Sequence, residues 1–195
     1  MSRKDLTSDY WSSRYQADQI GWDMGQVSPP IAHYFQSVSI PKNTQILIPG
    51  AGNAHEASFL WEMGFTNVYV LDFAEEPLCN LLSRTEGFPK DQAIVGDILE
   101  HNGRYDLIVE QTLFCALDPL LREDYVSKCS ELLSDDGLLI GVLFNRQFDS
   151  GPPFGGSKEE YEDLYSRFFS DVKMEECYNS YEPRQGSELF IRCKK

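Results

Sequence analysis

The stretch from Ile46 to Asp72 constrains the fold more than any other part of this chain. The apolar run Ile46-Leu-Ile-Pro-Gly-Ala-Gly52 is typical of a buried strand that ends in a glycine turn, and Val68-Tyr-Val-Leu-Asp72 is a second apolar run that ends on a carboxylate. Gly50 and Gly52 have no Cβ, so the backbone can turn sharply and a ligand can approach the start of the following helix. An acid about 20 residues after such a turn can bind ribose hydroxyls. The stretch therefore predicts a β-α-β unit that binds a nucleoside cofactor through Gly50, Gly52 and Asp72.

The residues after the turn indicate which cofactor is bound. A third glycine at position 55 would complete the dinucleotide fingerprint, but the chain has His55 there, followed by Glu56. We therefore expect no pyrophosphate at the turn. An acid shortly after the second glycine suits S-adenosylmethionine, whose sulfonium and amino-acid tail carry positive charge. A glycine turn alone is more often a simple tight connection, but strand, turn, helix and Asp72 together favour this cofactor over NAD and an oxidoreductase.

Further apolar runs alternate with helix-compatible segments along the 195-residue chain. Strands are predicted at residues 45–49, 67–72, 92–95, 105–110 and 138–144, with helices at 54–64, 75–86 and 119–133 between them. Because several of these strands are almost wholly apolar, we expect a parallel sheet with helices on both faces. Ligands bind such sheets beyond the carboxyl ends of the strands.

The C-terminal part predicts one more helix and two more strands. Ser157 and Glu160 fit a capping box that begins a helix extending to about residue 169. Residues 172–178 and 188–193 are strand-like, and the connection between them suits an antiparallel hairpin. The predicted fold class is therefore α/β: a doubly wound, Rossmann-like sheet of seven mostly parallel strands with an antiparallel C-terminal hairpin.

The length predicts a single domain over residues 1–195. Some 40 residues precede the first strand and contain helix-compatible segments near 8–19 and 29–39, so residues 1–40 are predicted to form an N-terminal helical lid.

Composition excludes several classes of protein. Seventeen basic and 31 acidic side chains give a net charge of −14, which disfavours nucleic acid as a partner. The same charge favours a cationic cofactor, and an anionic substrate would need local basic residues. No run of about 18 apolar residues and no signal-peptide pattern is present, so we expect a cytoplasmic protein without a membrane partner. Five scattered cysteines without a Cys-x-x-Cys pair argue against a disulfide framework and against a bound metal.

Two later segments supply candidates for the rest of the cofactor. Asp97 and Ile98 follow the third strand, where an acceptor for the adenine amine and an apolar wall are needed, although Asp97 could instead only cap a turn. Glu110 and Gln111 end the fourth strand, at the position that faces the methyl group and the amino-acid part of the cofactor.

Aromatic side chains near the N-terminus suggest a cover for this site. Trp11 and Tyr15 are four residues apart on one predicted helix face, and Trp22 lies in the next loop. A sulfonium is attracted to an aromatic face, so the three rings could close over the cofactor. The alternative is that they only pack the helix onto the core.

In these residues and in several further motifs, the chain resembles the thiopurine S-methyltransferase superfamily, and most closely its branch of thiol and halide methyltransferases. The likeness covers nearly the whole chain and rests on motifs that occur in order: Trp22-Asp-x-Gly25 with Ser28-Pro-Pro30, Ile48-Pro-Gly-Ala-Gly52, Val70-Leu-Asp72, Gly96-Asp97, Thr112-Leu-Phe-Cys-Ala116 with Asp118-Pro119, Gly151-Pro-Pro-Phe154, and Pro183-Arg-Gln-Gly186. The resemblance implies cofactor contacts from Trp11, Tyr15, Trp22, Gly50, Gly52, Asp72, Asp97, Ile98 and Gln111. The chain departs from its relatives at Tyr15, where a second tryptophan is common, and at Glu110-Gln111, where Asp-Tyr is common.

The chemistry expected of such a protein needs little from a base. Methyl transfer is an in-line displacement, so an ionised nucleophile needs alignment and desolvation more than proton removal. We accordingly predict no catalytic side chain, and interpret His33, His55 and His101 as structural. The residues predicted to form the acceptor pocket are Phe114, Arg146, Phe154 and Arg184, although either arginine could instead pair with a surface acid.

The sequence thus predicts an S-adenosylmethionine-dependent methyltransferase that acts on a small soft nucleophile, such as a thiol, sulfide, thiocyanate, a halide or a thiopurine, and releases S-adenosylhomocysteine. The alternative is a cofactor-binding sensor or partner subunit without turnover. We expect a small-molecule substrate and a monomer or weak homodimer.

Overall fold

A computed structural model describes residues 6–195, and these residues form one seven-stranded sheet in the order β3-β2-β1-β4-β5-β7-β6 with helices on both faces. The strands are β1 Ile46–Pro49, β2 Val68–Asp72, β3 Ala93–Val95, β4 Tyr105–Gln111, β5 Leu133–Phe144, β6 Asp171–Glu176 and β7 Glu188–Lys194. The helices are α1 Ser8–Gln16, α2 Pro29–Ser37, α3 His55–Glu62, α4 Glu75–Arg84, α5 Leu113–Ala116, α6 Arg122–Leu132 and α7 Lys158–Ser166. Three short 3₁₀ turns lie at Lys90–Gln92, Pro119–Leu121 and Glu182–Arg184.

The predicted fold class is confirmed by the strand pairing. β1 pairs in parallel with β2 and β4, β2 with β3, and β4 with β5. β7 pairs antiparallel with both β5 and β6, so the C-terminal hairpin enters the sheet with its second strand inside and its first strand at the edge. Chain order reverses between β1 and β4, and a ligand crevice is expected at that point.

Alternate residues of the central strands enter two cores, one on each face. On β1, Ile46 and Ile48 pack toward α2 and α3, whereas Leu47 packs toward α6 and α7. β4 repeats this alternation with Leu107 and Ile108. Both sides of these strands are buried, which explains their nearly continuous apolar sequences.

Several element ends differ from the sequence prediction. β5 begins at Leu133 instead of residue 138, because Asp136 takes a left-handed conformation (φ 63°) and the pairing with β4 shifts register there. α6 begins at Arg122 instead of residue 119, because Asp118 caps a 3₁₀ turn by accepting a hydrogen bond from Leu120 N. The capping box at Ser157 and Glu160 forms as predicted.

The N-terminal segment divides into two parts. Ile31 and Phe35 of α2 are fully buried in the core beside β1, so α2 belongs to the body of the fold. α1 lies outside that core. It is attached to the loop after β2 by a hydrogen bond from Ser8 Oγ to the Phe73 carbonyl (2.9 Å), and to α4 by one from Gln16 to Glu76 (2.6 Å). The first five residues of the predicted lid lie outside the described part of the chain. Within residues 6–195 no helix has both the length and the apolar character that a membrane crossing requires.

Candidate active site

A cavity of about 600 Å³ opens at the carboxyl ends of the parallel strands, beneath α1 and the loop that follows it. Its size lies within the usual range for small-molecule sites. All of the residues that the sequence predicted for the cofactor line it: Trp11, Tyr15, Trp22, Gly50, Gly52, Asp72, Asp97, Ile98 and Gln111. Of the four predicted acceptor residues, Arg184 lines it and the other three do not.

The glycine turn is held in place by Asp72. Gly50 and Gly52 have positive φ (58° and 53°), a conformation that glycine adopts without strain. The Asp72 carboxylate at the end of β2 accepts hydrogen bonds from Gly52 N (2.8 Å) and Ala74 N (2.9 Å). Burial raises the pKa of Asp72, and these backbone donors oppose that shift. The side chain therefore connects two strand ends and keeps oxygen lone pairs for a ligand.

The end of the cavity near β2 and β3 is mostly apolar. Leu71, Ile98 and Leu99 line it, and Ile98 is almost fully buried. Asp97 accepts a hydrogen bond from Leu99 N (2.8 Å) through one carboxylate oxygen. Asp97 therefore does cap a turn, as the alternative interpretation held, and its second oxygen is left for another donor.

The two residues that end β4 point to opposite faces of the sheet. Gln111 lines the cavity and is only 8% exposed, and its Oε1 accepts no hydrogen bond from any group in residues 6–195. Thr112 follows in a left-handed conformation (φ 67°), which is strained for a β-branched residue and occurs here at the cavity wall. Glu110 lies in the opposite core, where it accepts hydrogen bonds from Phe114 N (2.9 Å) and the Tyr125 hydroxyl. Of this pair, only Gln111 faces the cavity.

Three aromatic rings cover the cavity. Trp22 makes edge-to-face contacts with Trp11 (ring centroids 5.4 Å apart) and with Tyr15 (5.7 Å). The Tyr15 hydroxyl lies 3.0 Å from where a Cβ on Gly52 would be, so the rings reach the glycine turn. Burial raises the pKa of Tyr15, which keeps this phenol neutral at physiological pH.

A polar cluster at the same turn joins this cover to α3. Asp23, directly after Trp22, accepts hydrogen bonds from Asn53 Nδ2 and from Gly25 N (2.6 Å), and its Oδ1 lies 2.7 Å from His55 Nε2. Burial acts to raise the pKa of Asp23, but these donors outweigh it and hold the pKa below its ordinary value. This cluster was not predicted from the sequence, although Asp23 in the Trp22-Asp-x-Gly25 motif and a histidine in the turn were available as signals.

The end of the cavity near β5 and β7 contains Arg184, Asp118 and several apolar groups. Arg184 donates from Nη2 to the Trp22 carbonyl (2.7 Å), and its Nη1 lies 3.5 Å from Glu188 but makes no hydrogen bond within the described residues. The apolar groups around it are Leu117, Leu121, Phe144, Pro152 and Pro153. Cys115 also lines the cavity, and burial raises the pKa of its thiol to about 12.

Phe114, Arg146 and Phe154 do not line the cavity, contrary to the sequence prediction for the acceptor pocket. The single turn of α5 directs Leu113 and Cys115 to the cavity and Phe114 into the core, where its ring packs edge-to-face on Tyr161 (5.3 Å). Arg146 is exposed and lies over the Phe148 ring (4.7 Å). Phe154 packs against Gly151, and the adjacent Pro152 and Pro153 form the wall instead.

The other two histidines lie away from the cavity. His33 is exposed beside the Tyr178 ring (5.9 Å), and His101 Nε2 lies 2.8 Å from the Tyr105 hydroxyl. Among residues 6–195, no cluster of histidine, cysteine and acidic side chains has the arrangement of a metal site.

Comparisons with known proteins agree on one family. The family model described as thiopurine S-methyltransferase matches residues 6–191. The chain is 30% identical over 194 residues to thiocyanate methyltransferase 1 of Brassica oleracea, covering 95% of this chain and 84% of that protein. It is 24% identical over 195 residues to a thiopurine S-methyltransferase of Acinetobacter baylyi, covering 87% and 88%.

A solved structure shows the same fold. The 1,6-didemethyltoxoflavin-N1-methyltransferase of Burkholderia thailandensis, with 1,6-didemethyltoxoflavin and S-adenosylhomocysteine bound, matches with a TM-score of 0.73 over 98% of this chain and 88% of that one. The two sequences are 16% identical, so this likeness concerns the fold alone.

Proposed function

The chain belongs to the thiopurine S-methyltransferase family of S-adenosylmethionine-dependent methyltransferases, and from that premise we propose that its acceptor is a small soft nucleophile. The class includes thiols, sulfide, thiocyanate, halides and thiopurines. The relatives named above are a thiocyanate and a thiopurine methyltransferase, which supports this range of acceptors.

The polar groups that line the cavity suit the cofactor, and so does the size of the cavity. Gln111 Oε1 is a buried acceptor without a donor, which suits the ammonium of the methionyl part. The free lone pairs of Asp72 suit the ribose hydroxyls, and Asp97 with Ile98 suits the adenine. The Asp23 and His55 side chains lie near the position where a dinucleotide fingerprint has its third glycine, which disfavours a pyrophosphate there.

In this proposal the chain holds the cofactor between the glycine turn and the aromatic cover. When bound, S-adenosylmethionine supplies a methyl group on a sulfonium, which a nucleophile can displace in line. Trp11, Tyr15 and Trp22 provide aromatic faces for positive charge and exclude water from the cavity.

The observation that carries the acceptor class is Arg184, a cation that lines the cavity together with Phe144, Pro152 and Pro153. Its side chain is 12% exposed, and the Nη1 group has an N–H left to donate. A guanidinium N–H attracts an anionic acceptor, while Phe144 and the two prolines remove its water shell. A desolvated thiolate or soft anion is a stronger nucleophile than a hydrated one, so this end of the cavity favours such acceptors.

Two other titratable groups, Cys115 and Asp118, line this end of the cavity, whereas Glu188, 3.5 Å from Arg184, does not line it. Cys115, with a pKa of about 12, stays protonated at neutral pH and cannot take a proton from an acceptor. Asp118 is used in capping the 3₁₀ turn at Leu120. The acceptor therefore arrives already ionised, and the rate comes from alignment.

The experiment that tests this proposal is a transfer assay with labelled S-adenosylmethionine. The soft panel contains sulfide, thiocyanate, iodide, a thiophenol and a thiopurine, and the hard panel contains a catechol and a primary amine. We expect label transfer to members of the soft panel alone. Transfer only to the hard panel would contradict the acceptor class, and cofactor binding without any product would favour a sensor.

A matched pair of variants tests the role of Arg184. Arg184→Gln should raise KM for anionic acceptors by roughly tenfold, since one charge-assisted hydrogen bond is lost. Arg104→Gln, at an exposed arginine paired with Asp135 (3.4 Å), should leave KM unchanged. Equal KM values for both variants would remove Arg184 from the acceptor site.

A further inference from the structure

Asp23 lies between the aromatic cover and the cofactor turn. The Asp23 side chain is 14% exposed and that of His55 21%, and their contact joins the loop after α1 to the first residue of α3. Asn53 donates to the other Asp23 oxygen, so both oxygens of this carboxylate are bound by residues of the cofactor turn.

The turn that holds Asp23 is itself fixed by α4. Arg84 Nη2 donates to the Asn53 carbonyl (2.5 Å) and to Ser58 Oγ (3.0 Å), and Asn80 donates to Asn53 Oδ1 (3.0 Å). These donors come from a helix that packs on β2 and β3, so Asp23 binds a part of the fold with little freedom to move.

Trp22, the residue before Asp23, makes a hydrogen bond on the other side of the cavity. The Trp22 carbonyl accepts the hydrogen bond from Arg184 Nη2 (2.7 Å), and Arg184 stands over the Phe144 ring (5.4 Å). Two adjacent residues therefore span the cavity: Asp23 is bound to the cofactor turn, and Trp22 is bound to the arginine at the opposite end.

We propose that Asp23 and His55 are positioning residues for the methyl transfer, which hold the Trp22 ring over the cofactor and, through the Trp22 carbonyl, orient Arg184 toward the acceptor. This inference rests on the proposed function of the cavity. It assigns His55 a role beyond the structural one that the sequence suggested. Neither residue touches the reacting atoms, so their effect passes through Trp22 and Arg184.

The consequence of releasing this contact differs at the two ends of the cavity. When the contact between Asp23 and His55 is lost, Asp72, the glycine turn and Gln111 can still bind the cofactor. The affinity for S-adenosylhomocysteine should therefore change little. Trp22 and Arg184 lose a fixed position, so acceptor KM should rise and kcat should fall. A misplacement of about 1 Å at groups that align reactants is enough for a large loss of rate.

The test uses three substitutions in the full chain, compared with wild type. His55→Ala removes the donor to Asp23, whereas His55→Gln places an amide N–H close to the position of Nε2. Asp23→Ala removes the acceptor for all three donors. We expect His55→Ala and Asp23→Ala to raise acceptor KM and lower kcat by roughly tenfold each, with the dissociation constant of S-adenosylhomocysteine changed less than about threefold. His55→Gln should recover most of the wild-type rate.

His33→Ala serves as the matched control, because His33 is exposed and lies outside the cavity. Its kinetic constants should equal those of the wild type. Unchanged KM and kcat in His55→Ala, or a His55→Gln variant as slow as His55→Ala, would overturn the inference.

Hydrogen exchange provides a readout that does not depend on turnover. With S-adenosylhomocysteine bound, peptides covering residues 20–27 should exchange at least about threefold faster in His55→Ala than in wild type, while peptides of β1 and β4 exchange equally in both. Equal exchange at residues 20–27 would overturn the inference even if no acceptor were found. A wild-type enzyme that binds the cofactor but methylates nothing would instead count against the proposed function alone.

Discussion

The Asp72 carboxylate supports the fold and also lines the cavity. Its two oxygens accept the backbone N–H groups of Gly52 and Ala74, so the same carboxylate that faces the cavity also fixes the turn. A substitution at this position therefore acts on stability and on binding together, and the two effects have to be measured separately.

Asp72→Ala should weaken binding of S-adenosylhomocysteine by about 1–3 kcal/mol, because a charged acceptor for the ribose hydroxyls is lost. Calorimetric titration measures this, and a urea melt of the same sample measures the cost to the fold. Asp91→Ala, at an exposed acid on the 3₁₀ turn before β3, is the control and should bind like wild type. An Asp72→Ala variant with wild-type affinity would show that the carboxylate does not touch the ligand.

Glu110 predicts a pH dependence of stability. It is fully buried, and burial raises its pKa from 4.5 to about 7, although hydrogen bonds from Tyr125 and from the N–H groups of Phe114 and Leu113 act in the opposite direction. Because the folded-state pKa is raised, the favourable contribution of protonated Glu110 is complete below pH 4.5 and is lost as the pH rises through about 7. The free energy of unfolding should fall by about 3 kcal/mol across this window on account of this group.

Glu110→Gln isolates that contribution, since the amide keeps an oxygen for Phe114 N and does not titrate. Urea unfolding at pH 4.5, 6 and 7.5 should show the variant gaining stability relative to wild type as the pH rises. A difference between the two proteins that stays constant over this range would mean that folding does not raise the pKa of Glu110.

The placement of single residues at the cavity was predictable from the sequence where the backbone dictates it. Gly50, Gly52 and Asp72 lie at a strand end and a turn, so their direction follows from the β-α-β pattern, and each lines the cavity. Phe114 and Phe154 lie on a one-turn helix and in a loop, where the facing residue is decided by tertiary packing. The contact of His55 with Asp23 joins residues 32 apart, so neither residue's local sequence identifies the other as its partner.

Among the elements, α7 shows a local sequence signal that determines a helix start. Ser157 accepts a hydrogen bond from Glu160 N, and the Glu160 side chain accepts one from Ser157 N (3.0 Å), so two N–H groups of the first turn are satisfied. The helix directs Tyr161 and Tyr165 into the core beneath α5, and the Tyr161 hydroxyl donates to the Phe144 carbonyl at the end of β5 (2.9 Å).

Ser157→Ala should therefore lower the free energy of unfolding by about 1 kcal/mol, the usual cost of losing an N-cap. Denaturant unfolding measures the change, and Ser166→Ala at the other end of α7 is the matched serine control with a smaller expected effect. Equal losses at both ends would indicate that the cap hydrogen bond contributes nothing to stability.

Element bounds were less predictable than element types. The early start of β5 depends on the left-handed Asp136 and on pairing with Tyr105 and Leu107, a long-range interaction that periodicity does not report. Likewise, α1 ends at Gln16 and not at residue 19, and Asp18 after it has positive φ (53°). The sheet itself was predictable because the central strands alternate between two apolar cores.

At the scale of the whole molecule, strand order distributes the chemistry along one edge of the sheet. β2 and β3 carry Asp72 and Asp97 to one end of the cavity, and β5 with β7 carries Phe144 and Arg184 to the other. Residues from the N-terminal segment then close the cavity from above through Trp22 and Asp23. The fold thus separates the part of the cavity suited to a nucleoside from the part suited to an acceptor.

The net charge of −14 predicts that salt has opposite effects on kcat/KM for the cofactor and on kcat/KM for an anionic acceptor. S-adenosylmethionine carries net positive charge and is attracted by the protein, whereas thiocyanate is an anion that the same field repels. Raising the ionic strength from about 0.01 to 0.15 M with sodium acetate shortens the screening length from about 30 to 8 Å. We expect kcat/KM for the cofactor to fall and kcat/KM for thiocyanate to rise over this range.

Neutralising exposed acids that do not line the cavity provides the control for that prediction. A triple variant with Asp91→Asn, Glu100→Gln and Asp135→Asn removes three negative charges that lie outside the cavity. Because the long-range field is weaker, both salt dependences should become shallower while the values at high salt converge on those of wild type. If kcat/KM for thiocyanate fell with salt in both proteins, the local charge of Arg184 would outweigh the acidic surface in guiding the acceptor.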